Sequence, residues 1–339
     1  MQVSDFHYEL PAELIAQEPP KERGSSRMLV ISRGKNSFHD DEFRNFATYL
    51  RAGDCLVLND TRVFPARLHG RRNSERGAAV EVFLLRPTTE GNTWNALVKP
   101  GKRAHTGDRI VFNADLTAEI VSQGEFGERV LRFHAGRPLE EIVDQLGETP
   151  LPPYIHRKPV NADRERYQTI FARNRGSVAA PTAGLHFTPE VLNEVRERGA
   201  EIAHVTLHVG LGTFAPLRSK VVSEIQLHEE TYELKEKECM HLRRAQRLVC
   251  TGTTSVRTVE TALLRDGFQP QHGETNLFIY PGFRFRGTGA MLTNFHLPES
   301  SLLMLVCAFA GYELTMAAYE HAVRERYRFF SYGDCMFIE

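Results

Sequence analysis

The sequence predicts an α/β domain, split in sequence, that carries an inserted all-β domain at roughly 69–150. Three observations carry that expectation. A strand–helix–strand pattern opens the chain, short alternating segments replace it near residue 68, and the α/β pattern returns after residue 180. The main domain then comprises 1–68 and 151–339.

"LPAELIAQEP" places Pro11 early in a short helix that Pro19 stops. "RMLVIS" is an apolar strand. "DEFRNFATYLRAG" sets Phe43, Phe46, Ala47 and Leu50 on a helical stripe, with Gly53 near its end. "DCLVLND" follows as a buried strand. Next come "AAVEVFLL", "WNALVK", "DRIVF", "LTAEIV" and "ERVLRF", punctuated by Gly, Asn and Asp, the pattern of a small barrel or sandwich. "PLEEIVDQLG" reads as a short helix and "TPLPPY" as a stiff connector back to the core. Beyond residue 180, Thr188 caps a helix, Pro189 takes its first position and Gly199 ends it. "EIAHVTLHV" is a strand, "KEKECMHLRRAQ" a helix, "RLVC" a strand and "SVRTVETALLRDG" a helix. "NLFIY" and "AMLTNF" read as strands, and 300–326 as mostly helical.

Composition narrows the function classes. Formal net charge is −1, so the chain is not a polycation, and any nucleic-acid contact must come from a local patch. The five cysteines form no CxxC pair and no Cys/His cluster of zinc spacing, so no metal is expected. Cys55, Cys250 and Cys307 lie in apolar runs and read as reduced buried thiols, which fits the cytoplasm. "MQVSDFHYEL" lacks the features of a secretory leader. The longest apolar run, "LLMLVCAFA", has nine residues, about half a membrane span.

Several constellations carry chemistry. "LVCTGTTSVRTVE" is a strand, a hydroxyl-rich turn at Gly252 and a helix start. Thr253, Thr254 and Ser255 sit among unpaired helix N–H groups, and Arg257 is expected in the first turn. Plain N-capping explains the hydroxyls, but a cation there opposes the helix dipole, so an anionic ligand is expected. "HVGLGTFAPL" contains Gly210 and Gly212 in a faint echo of a dinucleotide fingerprint. Pro216 and the lack of a ribose-binding acid argue against it, and backbone close to a flat ligand is the better reading. His186, His208 and His296 recur beside Gly or Pro turns at strand ends, where α/β sites lie. "LNDTRVFPARL" brings Asp60 and Arg62 to a strand exit, either a turn with an Asp–Arg pair or a polar ligand cluster. Arg67, Arg71, Arg72 and Arg76 crowd the following segment, and "IHRKPVNADRERYQTIFARNRGS" is a second basic stretch. Each is a phosphate surface or a solvated face. "TNFHLPESSLLML" sets Asn294, His296 and Glu299 before a core helix.

Taken in order, "DFHYELPAELIAQEP", "LVLNDTRVFPARL", "PLPPYIHR", "RYQTIFA", "GSVAAPTAGLHFT", "VTLHVGLGTFAP", "TGTTSVRTVE", "IYPGF", "TNFHLPESSLLMLVCAFAG" and "YRFFSYGDCMFI" resemble one family over nearly the whole chain. It is the S-adenosylmethionine:tRNA ribosyltransferase-isomerase family of queuosine biosynthesis. The resemblance implies an α/β/α layered domain with an inserted β-barrel. It implies a tRNA bearing 7-aminomethyl-7-deazaguanine and S-adenosylmethionine as a consumed co-substrate, with no resident cofactor. The ribosyl group is transferred and isomerised to an epoxycyclopentane, and adenine and L-methionine leave. Asn294, His296 and Glu299 are then expected to line the pocket, with His296 ranked before His208, Glu299 and His186 as the base. Asp60, Arg62, Gly210, Gly212, Thr253, Thr254, Ser255, Arg257 and Asn294 are expected to hold substrate, and the four arginines from Arg67 to Arg76 the tRNA. A monomer is expected. A nicotinamide dehydrogenase built on "GLGTFA" and a non-catalytic RNA-binding protein are the competing readings.

Overall fold

The computed structural model describes residues 1–73, 77–124, 127–210, 217 and 219–339, with the side chain of residue 103 left aside. The first strands are β1 (Arg27–Ser32), β2 (Ser37–Glu42), β3 (Asp54–Asn59) and the short β4 (Thr61–Val63). Six more form a closed barrel: β5 (Arg67–Arg72), β6 (Ala79–Pro87), β7 (Thr93–Lys99), β8 (Arg109–Val111), β9 (Leu116–Gln123) and β10 (Glu128–Ala135). The remainder are β11 (Asn174–Ser177), β12 (Glu201–Leu207), β13 (Glu230–Leu234), β14 (Arg247–Thr251), β15 (Gln271–Thr275), β16 (Thr288–Asn294) and β17 (Cys335–Ile338). The α-helices are α1 (Leu139–Leu146), α2 (Asp163–Arg166), α3 (Pro189–Glu197), α4 (Glu236–Arg244), α5 (Gly252–Leu264), α6 (Ser301–Ala310) and α7 (Tyr312–Arg324).

Among the described residues, nine strands make one mixed sheet in the order β15-β13-β12-β3-β14-β16-β17-β1-β2. Its centre, β12-β3-β14-β16, is parallel throughout. Continuous apolar runs such as "CLVL" require cover on both faces, and the alternation shows which layer covers which. Leu29, Ile31, Cys55, Val57 and Cys250 face the layer of α4 to α7. Met28, Val30, Leu56, Leu58 and Val249 face α3 and the turn at Phe43–Tyr49. The architecture is thus α/β/α.

Two local expectations are corrected. The stripe at Phe43, Phe46 and Ala47 winds as a 3-10 helix over Phe43–Tyr49, not an α-helix. The tighter winding sets residues three apart in line: Phe43 and Phe46 stack at 5.6 Å, and both meet Phe187 edge-on. "NLFIY" is not a strand. The carbonyl of Leu277 is taken by Arg257 and its N–H by Thr275, so side chains hold this backbone.

The barrel interior follows from the period of two: Leu116, Ala118, Ile120, Leu131 and Phe133 point inward. Helix α1 packs Leu139, Ile142 and Val143 into the same cluster, where Phe64 and Val178 of the main domain join them. Ion pairs Arg86–Glu274 and Arg175–Asp144 also link the two units.

Candidate active site

Parallel strands end at one edge, and loops leaving that edge converge. Asp60 to Arg62 leave β3, His208 to Gly210 leave β12, Gly252 to Ser255 leave β14, and Phe295 and His296 leave β16. Open α/β sheets bind ligands at this edge. A pocket there is lined by Val209, Gly252, Thr253, Thr254, Thr293, Asn294 and His296, with Tyr154, Pro181 and Ser331 on its far side.

Gly252, at φ 80, lets β14 turn directly into α5. The first N–H groups of that helix have no intrahelical acceptor. The hydroxyls of Thr251, Thr254 and Ser255 are buried and have no hydrogen-bond partner among the described residues. Buried polar atoms left unpaired beside a pocket call for a ligand.

His296 is held from several sides. Its Nε2 meets Thr293 Oγ1 at 2.9 Å, its N–H donates to Tyr319 Oη at 3.1 Å, and Tyr8 donates to its carbonyl. Nδ1 has no partner among the described residues. Burial pushes its pKa down to about 3, so the ring is neutral at pH 7. His186 is buried too, but Nδ1 meets Ser26 Oγ at 2.9 Å and Nε2 meets Asn294 Oδ1 at 3.2 Å, so both nitrogens are engaged. Burial lowers its pKa to about 4, against the opposing bond from Asn294. Asn294 completes the tie by donating to Phe330 O at 2.9 Å. His208 is half-buried, with Nδ1 at 2.7 Å from Thr61 Oγ1. Burial lowers its pKa, partly opposed by Asp60. Its ring lies against Gly176, where a Cβ would come within 2.7 Å of Cε1.

The expectation that Asn294, His296 and Glu299 all line the pocket is corrected for Glu299. Asn294 reaches His186, and Thr293 orients His296. Glu299 turns away at φ 58 to a surface pair with His7 at 3.1 Å and does not line the pocket.

The helix α5 begins at Gly252, so Arg257 lies in its second turn, not its first. It is almost fully buried and bonded to Glu230, and also donates to Leu277 O. Its charge is balanced by the protein, which corrects the expectation that an anionic ligand explains it. The other Glu230 oxygen accepts from Gly210 N at 2.9 Å. The pair therefore anchors the start of the glycine-rich segment. Gly212 lies outside the described residues.

Asp60 is buried and accepts from Thr206 Oγ1 at 2.7 Å and Asn174 Nδ2 at 2.9 Å, whereas Arg62 is exposed and unpaired among the described residues. On β5 the basic residues separate by function. Arg67 lies 3.9 Å from Glu81, and Arg72 lies 3.5 Å from Asp108, while Arg71 is exposed without a partner among the described residues. Arg76 lies outside the described residues. Thr293, Tyr154 and Ser331 were not singled out by the sequence. Each stands inside a quoted motif but has no spacing signal of its own.

An α/β/α layered arrangement with a pocket at the carboxyl edge of its parallel strands, together with a closed β-barrel, defines the class as an α/β protein that carries a barrel. Residues 3–338 match the family described as queuosine biosynthesis protein. The chain is similar to the S-adenosylmethionine:tRNA ribosyltransferase-isomerase of Solibacter usitatus, 56% identical with all of both chains covered. It is 49% identical to the enzyme of that name from Caldanaerobacter subterraneus, again over both full lengths. Among solved structures, S-adenosylmethionine tRNA ribosyltransferase from Thermotoga maritima matches with TM-score 0.57 and 37% identity, covering 99% of this chain and 100% of that one. The chain belongs to the queuosine biosynthesis protein family.

Proposed function

We propose that this chain is an S-adenosylmethionine:tRNA ribosyltransferase-isomerase. It moves the ribosyl group of S-adenosylmethionine onto 7-aminomethyl-7-deazaguanine in tRNA and isomerises it, giving epoxyqueuosine-tRNA, adenine and L-methionine. End-to-end identity of 56% with an enzyme of that name is the observation that carries the reading.

The chemistry needs a base for an acidified C5′ hydrogen, donors for the departing adenine and a pocket that tolerates a sulfonium. His296 suits the first role: its Nδ1 lone pair is unengaged, and a neutral ring does not repel a sulfonium cation. His208 is the second candidate. His186 acts as a tether, since both nitrogens are committed. The unpaired Thr254 and Ser255 hydroxyls and the α5 N–H groups are placed to receive a carboxylate or a ribose oxygen. Arg257 and Glu230 position Gly210, Asp60 fixes the β3 exit, and Arg62 and Arg71 face the tRNA. We take 69–150 as an inserted unit, and the protein as a cytoplasmic monomer that uses no cofactor beyond its consumed co-substrate. Among the described residues no single helix is long and apolar enough to cross a membrane.

Incubation with precursor tRNA and S-adenosylmethionine should release adenine and methionine in equal amounts. S-adenosylhomocysteine in their place would mean methyl transfer and overturn the reading.

A further inference from the structure

Beside the reaction pocket lies a shallow cleft lined by Pro19, Pro20, Arg23, Arg166, His186 and Ser331. Ser331 lines the reaction pocket as well, and His186 reaches it through Asn294. Arg166 comes from the second basic stretch of the sequence. Arg23 donates to Leu185 O at 2.9 Å, Arg166 to Lys21 O at 3.2 Å and Pro20 O at 2.6 Å, and Arg328 to Glu18 O. All these acceptors are carbonyls. Among the described residues, none of the three guanidiniums forms an ion pair with a carboxylate. Each carries five N–H donors, so most remain unused. The charges also feel one another: after burial, the Arg166 charge is the next cause holding the Arg23 pKa below its usual value. The acids nearby are Glu165, felt by Arg23, and Asp334, which accepts the Arg328 N–H through its carboxylate. Half-buried like charges that no carboxylate meets directly at the guanidinium are unfavourable, and an anion joining them relieves the repulsion.

We propose that Arg23 and Arg166 form a phosphodiester-binding cleft for the substrate RNA, joined to the reaction pocket at Ser331. The Arg328 charge is felt at His186 on its wall. The proposal rests on the tRNA reading above and deepens it. An RNA strand crossing the rim would set one nucleotide over the pocket while its neighbouring phosphate fills the arginine cleft. Guanidinium suits this role because its planar fork matches phosphate oxygens. The carboxylate of the methionyl group is the other oxyanion in the reaction. Two arginines in the cleft, with the Arg328 charge felt at His186 on its wall, favour the polymer, in which anions recur along the strand.

The experiment uses the full chain, precursor tRNA and the variants Arg23→Gln, Arg166→Gln and Arg23→Lys. Binding is measured across salt concentration, KM is measured for each substrate, and melting is followed in parallel. Each glutamine variant should flatten the log–log salt slope by about 0.7, the value for one contact to single-stranded nucleic acid. It should raise KM for tRNA several-fold and leave that for S-adenosylmethionine unchanged. Arg23→Lys keeps the charge and should keep the slope. A mere staple for the 18–24 turn would instead lower melting alike for Gln and Lys and leave the slope unaltered, which overturns the cleft. So would a raised KM confined to S-adenosylmethionine. Wild-type protein that neither binds the tRNA nor releases adenine with it would refute the tRNA reading and the cleft together. Normal wild-type activity with unaltered variant slopes refutes the cleft alone.

Discussion

Replacing Arg257 with Ala would take the guanidinium away from a Glu230 carboxylate that is about 5% exposed and bonded to it. Breaking a buried pair from one side costs about 3–5 kcal/mol. The lost donation to Leu277 O lies within that figure. At about 2 °C per kcal/mol for a chain of this size, melting should fall by about 6–10 °C. Circular dichroism melting reads that directly. The double variant Arg257→Met/Glu230→Met removes both charges and keeps the volume, so it should recover most of the stability. Turnover should not recover with it. Gly210 N loses the carboxylate that holds it at 2.9 Å, and the glycine-rich segment loses its anchor. A single variant that melts like wild type but binds S-adenosylmethionine about 2–3 kcal/mol more weakly would refute the reasoning. The guanidinium would then be serving a ligand anion, at the strength of a charge-assisted hydrogen bond.

His296→Ala should abolish solvent exchange at C5′ together with turnover while substrate binding survives. Exchange at the normal rate would move the base to His208. Glu299→Ala breaks only a surface contact with His7, worth about 0–1 kcal/mol, so near-normal kcat is expected and a large loss would place Glu299 in the reaction. Stability should fall as pH drops from about 6.5 toward about 4, because the unfolded chain takes up protons that buried His186 and His296 refuse. At pH 5 each contributes about 1–2 kcal/mol of loss. A melting temperature flat from pH 7 to 5 would contradict their burial as neutral rings.

The sequence displayed the layers of the fold because the buried strands are apolar without interruption. The barrel strands β6 to β10 likewise alternate cleanly. β5 escaped notice because "RLHGRR" turns Arg67, His69 and Arg71 outward, leaving Leu68 as its only large apolar residue facing in. β13, "ETYEL", is masked in the same way by its acids, one of which is the buried Glu230. The histidines and the α5 hydroxyls were visible because Gly and Pro mark strand ends. Side-chain pairing was not. Nothing in "TNFHLPES" reveals that Asn294 reaches back across 108 residues to His186, or that a left-handed turn sends Glu299 to His7. Likewise Arg257 finds Glu230 only because β13 packs on β12.

The strands that meet in the central sheet are far apart along the chain. β1 pairs in parallel with β17, so Met28 lies beside Cys335, and β3 finds β12 only across the whole barrel insert. The barrel closes with partners drawn from one uninterrupted stretch, Arg67 to Ala135. Closing long loops costs entropy before any contact rewards it, and distant pairings slow folding. The barrel's local pairings are therefore expected to form ahead of the sheet, with Phe64 and Val178 of the main domain completing its core. The sheet must wait, and its completion at β17 also sets Ser331 and Arg328 in place. The two pockets that share Ser331 are thus expected to assemble late, an order that hydrogen exchange during refolding would read.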